Sequence, residues 1–318
     1  MMRNNKYKLL SIGILLTLSS IAIYIFNKLI SASAIFNNFL KTKDGHYYEW
    51  RFGNIFYEKQ GSGAPLLLVH DLTASSSSAE WKSVVSALSH KYTVYTLDLL
   101  GCGRSDKPQM TYTNFLYVQL LTDFAKNVIG QKADIVASGL SGSFAVMACA
   151  NNEDIFDKLM LINPSSLVSL NRSPSKRSKI AKCLLELPLV GTLVYNILNT
   201  KSNIELAFTE KYLYNPFSVD QSTIDISYEA AHLGNNGGRY LLSSIIGNYL
   251  SCNITHGVKA INNSIFIIDG EEKDHLEETQ DFYKSLNPAI ECETIPLAKQ
   301  LPHIEVPEKV LEAIKDFF

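Results

Sequence analysis

The stretch ADIVASGLSGSFAVMACA, from Ala133 to Ala150, decides the fold. An apolar strand leads into a turn of glycine and serine, and the turn leads into an apolar helix. Small residues let the chain turn so sharply that the side chain at the apex would stand exposed above a sheet. This pattern is typical of a nucleophile elbow, in which the apex residue is the reactive one.

The apex of this turn is expected at Gly139, because a strand that ends at Val136 places the turn there. The usual pattern G-x-S-x-G is interrupted, since the run GLSG from position 139 is followed by Ser143. Gly139 has no side chain to offer. Either a neighbouring serine, Ser141 or Ser138, is the nucleophile, or the chemistry of the elbow has been lost.

Composition limits the class of protein. The chain has 318 residues, of which 46% are hydrophobic and 19% charged, enough for one large α/β domain with an insertion. A net charge of -2 gives no reason to expect a nucleic-acid partner. The five cysteines are widely spaced without a C-x-x-C pair, which argues against a zinc site and a disulfide framework. We therefore expect no metal and no cofactor.

Residues 1–30 predict a membrane anchor or a signal sequence. The run at residues 9–26 carries no charge and follows three basic residues. It is just long enough to span a bilayer, whereas a cleaved signal has an apolar core of roughly 7–15 residues. We expect a single-pass N-terminal anchor at the membrane, and the positive-inside rule gives a small preference for an extracytoplasmic domain.

Beyond a linker at residues 31–44, buried strands alternate with helices, which indicates a mostly parallel sheet with helices on both faces. Between residues 166 and 257 this alternation stops and only helical periods are found. This segment predicts a helical cap, inserted into a core of residues 45–165 and 258–318. The predicted strands are a hairpin within residues 46–61, then Pro65–His70, Tyr92–Leu97, the elbow strand, Lys158–Ile162, Ser264–Gly270 and Ile290–Pro296.

Several motifs in order resemble those of the α/β-hydrolase superfamily, over nearly the whole chain after residue 45. They are a buried strand ending in His70-Asp71, the run DLLGCGRS from Asp98, the elbow, an acidic run after a later strand, and LPHIEVPEKV around His303. The resemblance implies an α/β-hydrolase fold and hydrolysis of an ester or a similar small apolar acyl molecule under the cap. Its register places Gly139 at the nucleophile position.

The same resemblance implies the remaining members of a catalytic triad. His303 would be the general base, and Asp274 the carboxylate that orients it. Asp274 lies one residue further from Gly270 than is usual in the family, so Glu271 and Glu272 are rivals for this role.

The nucleophile and the oxyanion hole follow from the elbow. The backbone amides of Leu140 and Leu72 would receive the oxyanion. Ser141 is the expected nucleophile, because the helix N-terminus favours a developing anion there. Ser138, one residue before the apex, is the alternative.

The family usually has His-Gly where this chain has His70-Asp71. Asp71 would therefore place a negative charge beside the oxyanion hole, where the negative charge of the reaction should develop. This departure favours altered or lost chemistry. A catalytically silent binding protein that keeps the pocket is therefore the second hypothesis. If the rest of the triad is intact, Gly139→Ser should create or greatly raise esterase activity.

Overall fold

The computed structural model describes the backbone of residues 2–318 and the side chains from residue 10 onward. Eight strands form one sheet in the order β1-β2-β4-β3-β5-β6-β7-β8. The pairs β1–β2 and β2–β4 are antiparallel, and the remaining pairs are parallel. The strands are β1 Gly45–Trp50, β2 Gly53–Gln60, β3 Ala64–Val69, β4 Tyr92–Leu97, β5 Ala133–Ser138, β6 Phe156–Ile162, β7 Ile265–Gly270 and β8 Glu291–Ile295.

Helices cover both faces of this sheet, so the predicted architecture is confirmed. The helices are α1 Met2–Ala34, α2 Lys82–Leu88, α3 Asn114–Phe124, α4 Ser141–Asn151, α5 Leu167–Leu170, α6 Lys176–Glu186, α7 Val190–Leu198, α8 Lys201–Ala207, α9 Gln221–His232, α10 Gly238–Ile246, α11 Thr255–Ala260, α12 Leu276–Leu286, α13 Pro302–Glu305 and α14 Pro307–Phe317. Helices α5 to α10 follow one another between β6 and β7 with no strand among them, and they form the cap.

The core lies in two layers, one on each face of the sheet. Successive strand residues point to opposite faces, and in β3 both sets are fully buried. Leu67 belongs to the layer that contains Phe124 of α3 and Phe144 of α4. Leu66 belongs to the opposite layer, which contains Trp81. Burial on both faces explains why the sequence of β3 is a continuous apolar run.

The N-terminal helix α1 is long and apolar enough to cross a membrane from Leu10 to Ala34. It continues four residues into the predicted linker, where the Ser31 hydroxyl donates to the carbonyl oxygen of Asn27. Its last part packs on α7 and α9 of the cap. The first four residues of the predicted linker are therefore helical, and this end of α1 packs against the cap.

A buried carboxylate at the end of β4 holds two loops of the site edge together. Asp98 accepts hydrogen bonds from the backbone amides of Ser78 and Arg104, both at 2.7 Å, and from the Arg104 guanidinium at 2.8 Å. Burial alone would raise the pKa of Asp98, but the charge and hydrogen bonds of Arg104 outweigh it and lower the pKa. Asp98 is thus ionised and fixes the turn that precedes α2.

Replacement of Asp98 tests this role. Asp98→Ala should lower the free energy of unfolding by about 3–5 kcal/mol, because it leaves the Arg104 charge with only the more distant Glu58, at 3.6 Å. Asp98→Asn keeps an acceptor and should cost less. Urea denaturation of the detergent-solubilised protein measures both, and equal costs for the two variants would contradict the assignment.

Candidate functional site

The elbow turn has its apex at Gly139. Strand β5 ends at Ser138, Gly139 has a φ of 55°, and α4 begins at Ser141. This left-handed backbone is easiest for glycine. The position where a hydrolase of this shape would carry its nucleophile therefore has no side chain.

The carboxylate of Asp71 occupies the space that a side chain at the apex would need. A Cβ built on Gly139 would overlap the Asp71 carboxyl group. The backbone amides of Leu72 and Leu140 both donate to Asp71 Oδ1 at 2.8 Å. These are the two amides that the sequence assigns to the oxyanion hole, and here they hold an oxygen of the protein itself.

The environment of Asp71 changes its protonation. Burial raises the pKa of Asp71, and the nearby charge of Glu80 raises it further. The hydrogen bonds from Leu140 and Leu72 act in the opposite direction without cancelling the shift. Asp71 therefore keeps its proton to a higher pH than an exposed aspartate does.

A second carboxylate, Glu80, lies between Asp71 and His303. His303 Nε2 is 3.0 Å from Glu80 Oε1, and the Asp71 amide donates to Glu80 Oε2 at 3.1 Å. Burial would raise the pKa of Glu80, but the hydrogen bond and charge of His303 outweigh it and lower the pKa. The His303 ring also stacks on Trp81 at 4.5 Å between centroids. Asp71, Glu80 and His303 thus form a connected row.

The structure does not bring Asp274 to His303. Asp274 is exposed in the turn before α12, and in the described part of the chain its side chain makes no hydrogen bond or ion pair. Glu271 and Glu272 are also exposed, and Glu271 binds the amide of Leu297. The acidic run turns into solvent just after β7, so Glu80 is the acid that contacts His303.

The two candidate serines lie beside the apex without reaching His303 in a hydrogen bond. Ser141 is buried in the first turn of α4, and its hydroxyl donates to the His70 carbonyl oxygen at 2.6 Å. The Ser138 hydroxyl is buried beside the Glu80 carboxylate and helps to lower its pKa, although this contact falls outside strict hydrogen-bond geometry. Neither hydroxyl is placed as the expected nucleophile would be.

Two cavities between core and cap meet at Asp71. One has a volume of about 390 Å³ and is also lined by Glu80 and Ile226. The other has a volume of about 440 Å³ and is also lined by Gly139 and Leu198. A small ligand bound under the cap would contact the Asp71 carboxyl group from either side. Within residues 10–318, no group of three or more His, Cys, Asp or Glu side chains is placed to hold a metal ion.

Comparison with known sequences agrees with the observed fold. A model of the alpha/beta hydrolase family matches residues 66–313, which is more than half of the chain. The chain belongs to the alpha/beta hydrolase family. The elbow apex lies at Gly139, and His303 contacts Glu80. The catalytic role of His303 stays a prediction, and the sequence assigned no catalytic role to Asp71 or Glu80.

Two distant relatives match about a third of the chain. A 2-hydroxy-6-oxo-6-(2'-aminophenyl)hexa-2,4-dienoic acid hydrolase from Metapseudomonas resinovorans is 29% identical over 35% of this chain and 39% of its own length. A soluble epoxide hydrolase from Corynebacterium sp. (strain C12) is 28% identical over 34% of this chain and 37% of its own length. The matched part thus spans about two fifths of these relatives.

A solved structure extends the likeness in fold to nearly the whole chain. The crystal structure of a membrane phospholipase A, described as a bacterial virulence factor, superposes with a TM-score of 0.68 at 16% sequence identity. The match covers 98% of this chain and 97% of that one. At this identity the likeness shows the fold alone.

The overlap at the apex predicts strong coupling between two positions. Gly139→Ser alone should cost about 1–3 kcal/mol of stability, because its Cβ meets the Asp71 carboxyl group. In the double variant with Asp71→Gly the part of this cost that comes from the overlap should disappear, while the cost of a serine in the left-handed backbone remains. Denaturation of both single variants and the double variant measures the coupling, and additive effects would contradict the overlap.

The overlap also changes the expectation for esterase activity. Only the double variant has room for a serine at position 139, so Gly139→Ser alone should not create this activity.

Proposed function

We propose that this protein hydrolyses a small, largely apolar molecule under the cap, with Asp71 in place of a serine as its nucleophile. One observation carries the proposal. The Asp71 carboxylate is held by the amides of Leu72 and Leu140 in the space at Gly139, where the family places its reactive group, and it lines both cavities.

The two oxygens of Asp71 differ in their contacts. Oδ1 accepts from both amides, whereas Oδ2 accepts no hydrogen bond from the described residues. An oxygen without a donor is the better nucleophile, since no hydrogen bond has to break before it reacts. Oδ2 is therefore the attacking atom of the proposal.

Hydrolysis would proceed in two steps. Oδ2 forms a bond to an electrophilic carbon of the substrate, and the carbon–oxygen bond that breaks leaves an alkoxide that takes a proton from water. Glu80 then removes a proton from a second water, which attacks Cγ of the Asp71 ester. The amides of Leu72 and Leu140 stabilise the negative charge that develops on Oδ1. The bond between Cγ and Oδ2 then breaks, and the leaving alcohol oxygen takes the proton that Glu80 holds. The free Asp71 carboxyl group gives its proton to the hydroxide left by the first water, so that both carboxylates are restored.

This arrangement narrows the substrate class. An ester attacked at its acyl carbon would need the amides of Leu72 and Leu140 for its own oxyanion, and Asp71 already uses them. Attack at a strained or activated saturated carbon has no such need. An epoxide fits this requirement, and one relative is named a soluble epoxide hydrolase. The acyl ester expected from the sequence is therefore the less suitable substrate.

A second candidate function is binding without reaction. It is favoured by the missing side chain at Gly139, together with the filled oxyanion hole. In this case the protein is a catalytically silent, membrane-anchored member of the family that holds a small apolar ligand in the same cavities.

We propose α1 as a single-pass membrane anchor. Its side chains from Leu10 to Phe26 are almost all exposed, as they would be in contact with lipid. The extracytoplasmic position of the domain stays a prediction from the charges near the anchor.

Isotope incorporation distinguishes the two candidate functions. In H2¹⁸O, turnover of a panel of aryl and alkyl epoxides should place ¹⁸O in the peptide that contains Asp71, as seen by mass spectrometry. Asp71→Asn should lower the rate by more than about 1000-fold, while its amide oxygen can still accept from the amides at 72 and 140. Asp274→Asn is the matched control and should leave the rate unchanged. Ligand binding without turnover or label would favour the silent protein.

The protonation of Asp71 predicts a pH-dependent stability. Its raised pKa means that the folded protein binds this proton more tightly than the unfolded chain, whose aspartate pKa is about 3.9. The resulting stabilisation is complete below the unfolded pKa and is lost as pH rises through the folded pKa. The Tm of Asp71→Asn should therefore rise relative to that of the unsubstituted protein between pH 4 and neutrality, by roughly a few degrees. A constant difference across this range would contradict the shift.

A further inference from the structure

Helices α6 and α7 of the cap expose an apolar surface that the protein does not cover. The two helices meet at a bend of 102°, and together they are apolar enough for a membrane segment. On each helix the exposed apolar side chains recur three or four residues apart, so they share one face. These side chains, with their exposed fractions, are Ile180 61%, Leu184 57%, Val190 50%, Val194 40% and Ile197 52%.

Basic side chains border this apolar face. Residues 172–199 contain five Lys and Arg but a single acid, Glu186. Glu186 is already paired with Lys182 at 2.6 Å. The remaining four cations, Arg172, Lys176, Arg177 and Lys179, are all exposed. A helix with an apolar face and a basic border is the type that lies in the interface of an anionic bilayer.

The anchor places this surface at the level of the bilayer. The charge-free run of α1 ends at Phe26, and its 18 residues rise about 27 Å, close to the hydrocarbon thickness of a membrane. The next residue, Asn27, is buried against the cap. Its side chain donates to the Leu189 carbonyl oxygen at 3.1 Å and accepts from Asn196 at 2.9 Å. Leu189 lies in the bend between α6 and α7, so the bend sits where α1 leaves the membrane.

We propose that the α6–α7 segment, residues 176–198, is a second membrane-contacting element that lies in the interface of an anionic bilayer beside the anchor. The apolar stripe enters the acyl region, and the basic side chains contact lipid phosphates. None of the five exposed apolar side chains and none of the four exposed cations takes part in the proposed reaction at Asp71, so the proposal stands whether or not the protein is a hydrolase.

Quenching by brominated lipid tests the position of this surface. The full-length chain is reconstituted into phosphatidylcholine and phosphatidylglycerol vesicles that carry bromine on the acyl chains. The anchor holds every variant on the vesicle, so the readout reports the position of the cap alone. Leu184→Trp and Val194→Trp should lose a large part of their emission to bromine. The unsubstituted protein, in which Trp50 and Trp81 are buried, gives the background.

Phe282→Trp is the matched control, since Phe282 is an exposed apolar side chain on α12, a helix of the core. It should not be quenched above background. Replacing Lys176, Arg177 and Lys179 together by Gln should reduce the quenching of Leu184→Trp in the anionic vesicles. Quenching at positions 184 and 194 no greater than at 282 would overturn the proposal. A blue-shifted emission at 184 without quenching by bromine would also overturn it, since a second protein surface would then cover the stripe.

Discussion

Two backbone amides, those of Leu72 and Leu140, donate to one oxygen of Asp71, and the site depends on this contact. Burial of a carboxyl group is costly unless hydrogen-bond donors compensate for the lost water, and here both donors bind Oδ1. The elbow turn and the loop after β3 supply them together, so the contact also joins two neighbouring segments of the sheet edge. It requires Gly139 beside it, because any side chain there would overlap the carboxyl group. Glu80 accepts a hydrogen bond from the backbone amide of Asp71 and also contacts His303, so Asp71, Glu80 and His303 are connected.

The central strands β3 to β7 could be predicted because they are mostly buried on both faces, which gives continuous apolar runs in the sequence. The apex could be predicted at Gly139 because the register of β5 continues without a gap through the turn into α4. The acid that contacts His303 could not be predicted. Glu80 is a single carboxylate after a serine-rich loop, and its direction depends on the Asp98 contacts of that loop. Asp274 lies within one residue of the position that the resemblance assigns to the acid, but it is exposed in the turn before α12 and does not reach His303.

The cap has two different faces, and each has its own chemistry. Its inner face lines the cavities at Asp71, while its outer face carries the apolar stripe and the basic border. Leu198 belongs to both regions: it is 47% exposed at the end of α7, and it also lines the larger cavity. The end of α7 therefore lies at the cavity. The docked end of α1 fixes the orientation of the cap through Asn27 and Ser31, which bind Asn196 and Asn236.

The overlap between Asp71 and Gly139 also bears on how such a site can evolve. A serine cannot enter at position 139 while the aspartate remains, and removal of the aspartate alone leaves an apex with no reactive group. Each single step is therefore costly or without benefit, although the two steps together restore the usual arrangement of the family. This is sign epistasis imposed by a steric contact. With the two positions as they are, the usual arrangement requires two substitutions, and neither of them is favourable alone.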